Sequence, residues 1–180
     1  MQVKGVSVKS VVEYIKKQYP QQYRDWLNAL PDNSQVIFKD FVRVNEWYPL
    51  TAALTLPIKT VGKLFFNDDW KKAARIMGRF SADDALTGIY KLYVKIGTPR
   101  HIIDRAGRIM SAYFQPSEIR IVKSDKSSLV MHIIKFDEPD EAIENNIAGW
   151  IERALEISGC KDVEILITKS LARKDTFTEF

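Results

Sequence analysis

Residues 118–159 read EIRIVKSDKSSLVMHIIKFDEPDEAIENNIAGWIERALEISG, and a change of period inside this stretch decides the fold class. Apolar Ile119 and Ile121 alternate with charged Glu118, Arg120 and Lys123, the two-residue period of a half-buried strand. Residues 128–136, SLVMHIIKF, are apolar on both parities, as in a strand covered on both faces. The polar SDKS between them makes the pair an antiparallel hairpin whose second strand is central. From residue 137 the period is helical. Asp137, Glu138, Asp140 and Glu141 crowd the positive end of the helix, with Pro139 in or near its first turn. Ile143, Ile147, Trp150, Ile151, Ala154 and Ile157 share one face, and Gly159 supplies a C′ stop. DVEILITK, residues 162–169, alternates again, and DTFTEF, residues 175–180, starts a last strand.

Upstream the chain reads as helix. Ser7 caps a first helix with the stripe Val8, Val11, Val12, Ile15 and Tyr19, and Pro20 ends it. A short segment around Tyr23, Trp26, Leu27 and Leu30 closes on the turn residues Pro31-Asp32-Asn33. Residues after Pro49 are helical, with a kink or break at Pro57. Asp68 or Asp69 caps a helix through Phe80, and Ser81 caps another through Lys95. The resulting fold class is α+β: a helical N-terminal part packed on a C-terminal four-stranded antiparallel sheet with one inserted helix, in the order β-β-α-β-β. The expected organisation is a single domain over residues 1–180, helical over 1–115, with the sheet and its helix over 116–180.

Composition narrows the function classes. Hydrophobic content of 46% and charged content of 28% suit a soluble globular protein. The net charge of +4 falls short of a dedicated DNA binder. The single cysteine, Cys160, rules out an intrachain disulfide and a multi-cysteine zinc site and suits a reducing compartment. No apolar run reaches membrane-spanning length, and the N-terminus lacks a signal-peptide core. The expectation is a cytoplasmic protein. There is no Gly-rich phosphate loop, His-x-His or His-Glu-x-x-His, and no recognisable catalytic triad pattern, so no catalytic residue is assigned.

A set of residues carries a family resemblance: Val3-Lys4-Gly5, Trp47-Tyr48-Pro49, Ile89-Tyr90 leading to Gly97-Thr98-Pro99, Tyr113, and Ala148-Gly149-Trp150-Ile151-Glu152-Arg153-Ala154-Leu155-Glu156 with Gly159. Over nearly its whole length the chain resembles a bacterial family of unknown function best known from myxobacteria. More remotely it is similar to heme-nitric-oxide-binding, vinyl-reductase and TRAPP-type domains. The remote likeness implies helices packed on a four-stranded antiparallel sheet. It also implies a pocket between helices and sheet that takes heme or a small apolar ligand, and pairing into homodimers through helices. The implied role is a non-enzymatic sensor or adaptor in signalling or regulation. The alternative is a ligand-free homodimeric interaction module, and a redox or isomerase enzyme is a third reading.

Individual residues sharpen these readings. In heme-binding relatives the axial histidine lies on a helix shortly before the sheet, where His101 stands here. Their Tyr-x-Ser-x-Arg motif for the propionates has no match in Val122-Lys123-Ser124-Asp125-Lys126. Helix geometry puts Ile102, Ile103, Ala106, Ile109, Met110 and Tyr113 on one apolar face and His101 with Asp104, Arg105, Arg108 and Ser111 on the other. With Thr98 as N-cap and Pro99 at N1, His101 reads as a surface residue in the first turn, and no heme or metal is expected. His132, between Val130 and Ile134, is either a hydrogen-bonded half-buried residue or a pocket-lining group. Trp47 and Tyr48 either pack a helix entry or wall a ligand cavity beside Ile89, Tyr93 and Tyr113. Vinyl-reductase relatives carry cysteines near the C-terminus that are missing from residues 173–180, and Cys160 reads as a small residue beginning a strand. Lys71, Lys72, Arg75 and Arg79 line one side of a helix. They form either a solvated face or a site for an acidic partner or nucleic acid, of which nucleic acid is the less expected. The run Leu64-Phe65-Phe66 cannot place all three side chains on one helix face, which points to a dimer surface.

Overall fold

The structure, a computed structural model, describes residues 1–86, 99–125 and 127–180, with backbone alone at 101 and 102. It is an α+β fold. Strand β1 (Gln2–Lys4) runs directly into α1 (Gly5–Gln18), and a 3₁₀ turn at Pro20–Gln22 leads to α2 (Tyr23–Ala29) and α3 (Asp32–Lys39). Strand β2 (Trp47–Pro49) is followed by one π-helical turn (Thr51–Thr55), α4 (Leu56–Phe65) and α5 (Trp70–Leu86). After α6 (Pro99–Asp104) and α7 (Ala106–Tyr113) come β3 (Phe114–Gln115), β4 (Ser117–Ser124) and β5 (Leu129–Phe136). Helix α8 (Glu141–Ile157), a 3₁₀ turn at Leu171–Arg173 and β6 (Thr178–Glu179) complete the chain.

The hairpin forms as its pattern predicts. β4 and β5 pair antiparallel with bulges near Glu118 and Ile121, and β5 is central in the order β4-β5-β6. Met131 and Ile133 of β5 are buried, as are Ile143 and Ile147 of α8. Asp140 caps α8 by accepting from the Ala142 N–H at 2.8 Å, and Gly159 ends it at φ +105°.

The strand count differs from expectation. The C-terminal sheet has three strands among the described residues, because 162–169 forms no ladder and makes only an isolated bridge between Lys169 and Glu179. Its alternation is real, since Val163, Ile165 and Ile167 are half-buried while Glu164 and Leu166 are exposed. β6, two residues long, is too short to support a ladder beside it. Cys160 therefore follows a helix stop and begins no strand. A second three-stranded antiparallel sheet, in the order β2-β1-β3, joins the N-terminal strand to segments on either side of the helical region.

Several helix boundaries also move. α1 begins at Gly5, two residues before Ser7, which lies buried inside it. Asp32 and Asn33 open α3 and form no loop. Asp69 caps α5 as expected, accepting from Lys72 N–H at 3.0 Å, but α5 runs through Ser81 without a break. Pro57 follows directly on the π-helical turn, in a run that stays helical from Leu50, so its missing N–H falls where the regular helical ladder is already interrupted.

Helices α5 and α8 cross in backbone contact. A Cβ on Gly78 would lie 2.0 Å from the Asn146 carbonyl oxygen, and one on Gly149 would lie 2.1 Å from that of Arg75. The supposed basic face of α5 flanks this crossing. Arg75 reaches Glu152 at 2.7 Å, Arg79 reaches Glu152 and Glu156 at 2.8 Å, and Lys71 reaches Glu141 at 2.9 Å. Arg153 adds bonds to Glu156 and Asp83. Hydrogen bonds from Arg79, then Arg153, hold the Glu156 carboxyl below its ordinary value of 4.5. A depressed carboxyl stabilises the fold above its unfolded pKa, and that contribution is lost as pH falls through the folded value. Glu156→Gln should therefore cost about 1 kcal/mol at pH 7. In thermal melts the gap to wild type should close as pH drops below 4.5.

Candidate functional site

Between helices and sheet lies an apolar cavity of about 70 Å³. Helix α7 supplies one wall through Ala106, Ile109, Met110 and Tyr113, the i, i+3, i+4, i+7 stripe that an amphipathic helix buries. Asn146, Ile147, Trp150 and Ile151 of α8 face it. Phe114, Ile119 and Met131 come from β3, β4 and β5, and Ser7 and Ser81 close the side formed by α1 and α5. The Tyr113 and Trp150 rings meet at 6.0 Å between centroids. The Asn146 amide donates to the Ala74 carbonyl at 3.1 Å. The Trp150 Nε1–H is buried and has no hydrogen-bond partner among the described residues.

Of the residues singled out from sequence, Tyr113 lines this cavity. Ile89 and Tyr93 lie outside the described residues. Trp47 and Tyr48 are placed elsewhere, in β2: Lys4 Nζ sits 4.5 Å over the Trp47 ring, and the Tyr48 hydroxyl accepts from Arg43 N–H at 2.9 Å. They belong to the pairing of β2 with β1 and are not among the residues that line the cavity. His132 is also away from it, bonded to Glu179 at 2.6 Å and stacked on Phe177 at 3.9 Å. Thr168 donates to the other Glu179 oxygen at 2.6 Å. Hydrogen bonds from Thr168, then His132, hold the Glu179 carboxyl below its ordinary range. This arrangement clamps the imidazole to the C-terminal strand.

The backbone of His101 lies in the first turn of α6, and its side chain lies outside the described residues. The faces inferred around it hold where they are described: Asp104, Arg105, Arg108 and Ser111 are exposed, while Ala106, Ile109, Met110 and Tyr113 turn inward. The helix is not continuous, because α6 and α7 are separated at Arg105. Among the described residues no group of three or more His, Cys, Asp or Glu is placed to hold a metal. No described helix is long and apolar enough to cross a membrane.

Two cavity residues, Ser7 and Ser81, read in sequence only as helix caps. Their burial inside amphipathic helices, on the faces carrying Val8 with Val11 and Met77 with Ala74, was the available signal.

No family model matches the chain, and no characterised protein matches it in sequence. Among solved structures it is similar to the Fe(II) unliganded H-NOX protein from K. algicida, with a TM-score of 0.72 at 8% identity over 98% of this chain and 93% of that one. A point mutant of the same protein matches with a TM-score of 0.72 at 9% identity and the same coverage. At these identities the likeness is one of architecture: the chain has an H-NOX-like α+β fold.

Proposed function

We propose that the protein is a non-enzymatic sensor or adaptor domain, one folding unit over residues 1–180, that binds a small apolar ligand between helices and sheet and serves in signalling or regulation. The observation that carries this reading is the carbon-lined cavity, set among α1, α5, α7, α8 and both sheets. Its volume of about 70 Å³ lies between the space a single water needs and the ~150 Å³ of a cavity that takes benzene. A few heavy atoms fill it.

The described lining residues support a ligand smaller than heme. The volume is a fraction of what a macrocycle needs. No histidine and no cation is among the lining residues described. Purified protein supplied with heme should show no sharp Soret band that depends on His101. A stoichiometric complex abolished by His101→Ala would overturn the reading. Native mass spectrometry of freshly purified protein should instead show a small organic adduct.

The second reading, a homodimeric interaction module, has its own observation. Phe65 stacks on Tyr19 at 4.0 Å, and Phe66 packs against the core, while Leu64 is 41% exposed. The outward member of the run is thus Leu64. Sedimentation equilibrium at micromolar concentration should show a dimer that Leu64→Glu dissociates without unfolding. A monomer of 20.7 kDa at every concentration removes this reading.

A further inference from the structure

We infer that the ligand is a compact neutral molecule bearing a hydrogen-bond acceptor, a carbonyl or ether oxygen on a small carbon frame, and that the Trp150 indole N–H is the group that recognises it. The inference rests on the cavity being a ligand site. It follows from one anomaly in the wall. Buried polar groups in folded proteins are almost always paired, and leaving a donor without a partner is unfavourable. Trp150 Nε1–H is buried at a cavity wall and has no hydrogen-bond partner among the described residues. Indole nitrogen only donates, so what it lacks is an acceptor.

The rest of the wall narrows the class. The Asn146 amide is already engaged with the Ala74 carbonyl. Ser7 and Ser81 carry hydroxyls that can also donate. No charged side chain is among the described lining residues, so an anion would lose its hydration without a counter-charge. A single neutral oxygen matches a single indole donor, and the carbon lining from Ile109, Met110 and Ile147 suits the remaining atoms. The volume of about 70 Å³, roughly half that of a benzene-sized cavity, fits a frame of about four heavy atoms.

Acetone and 2-methylpropene test this directly, since they share size and trigonal shape but only acetone has an acceptor. Titrations of isotope-labelled full-length protein would follow methyl signals of Ile109 and Ile147 and the indole N–H signal of Trp150. Both probes should move the methyl signals, and acetone alone should shift the indole proton downfield. In Trp150→Phe, which keeps a ring but removes the N–H, the affinity for acetone relative to 2-methylpropene should fall about fivefold. Binding of both probes with an unmoved indole signal overturns the acceptor inference and leaves the cavity reading standing. Binding of 2-methylpropene alone does the same. Binding of neither overturns both. Should Trp150→Phe fail to fold, the indole shift in the wild-type protein still decides the matter.

Discussion

Gly149→Val should leave the protein unfolded at ordinary temperature, and Gly149→Ala should lower its stability by roughly 2–3 kcal/mol. The cause is the crossing of α5 and α8. A Cβ at Gly149 would stand 2.1 Å from the Arg75 carbonyl oxygen, where real Cβ contacts are never found below 3.0 Å. The obstacle is backbone, so no rotamer change relieves it. The helices must separate, and the Asn146–Ala74 hydrogen bond and the Arg75, Arg79 and Arg153 bridges must stretch with them. Alanine recovers about 1 kcal/mol of helix propensity, which is why its net effect is smaller than the clash alone. Gly78→Ala should behave alike, since its Cβ would meet Asn146 at 2.0 Å. Urea unfolding measures the loss. A Gly149→Ala protein within about 0.5 kcal/mol of wild type would mean that the two helices do not cross there.

Glu144→Ala should cost roughly 3–5 kcal/mol, and most of the damage should appear far from residue 144 in sequence. Glu144 is 4% exposed on α8. It accepts from Ser170 Oγ and Thr178 Oγ1, both at 2.5 Å, and from Ala172 N–H at 3.4 Å. Ser170 and Thr178 are themselves 0% and 1% exposed, so truncation strands donors that water cannot reach. Glu144→Gln keeps the volume but turns an NH₂ group toward a hydroxyl, and it should be intermediate. Hydrogen exchange should show residues 168–180 losing protection first, with cleavage by trypsin after Lys169, Arg173 or Lys174. Uniform loss across the molecule would show that the carboxyl is no anchor for the C-terminal segment.

The fold was legible where period and length agreed. The hairpin, the long C-terminal helix with its Asp140 and Gly159 ends, and the inward stripe of 106–113 all follow from local pattern. Three features were not legible because they depend on distant partners. The alternation of 163–167 is that of a strand, but pairing requires a neighbour of matching length, and β6 is two residues long. Arg75 and Arg79 look like a solvent face until α8 brings Glu152 and Glu156 against them. Glu144 looks like one more surface carboxylate of a charged helix, and nothing local marks it as the buried one. The lining of the candidate cavity was legible only in part. Tyr113 follows from the helix stripe, while Trp47, Tyr48 and His132 were suggested by residue type, which does not say which side of a sheet or turn a ring occupies.

Strand β1 has a consequence for how the chain is made. Val3 pairs with Tyr48 on one side and Phe114 on the other. Ribosomes deliver residues in order at ~5–20 per second, so the second side of β1 stays open for roughly 3–13 s after the first can close. Throughout that interval the nascent protein offers a bare edge of Gln2, Val3 and Lys4, with Val3 destined for complete burial. The newborn chain is thus most exposed to chaperone capture, or to pairing with a neighbour on the same messenger, before α7 and β3 leave the exit tunnel.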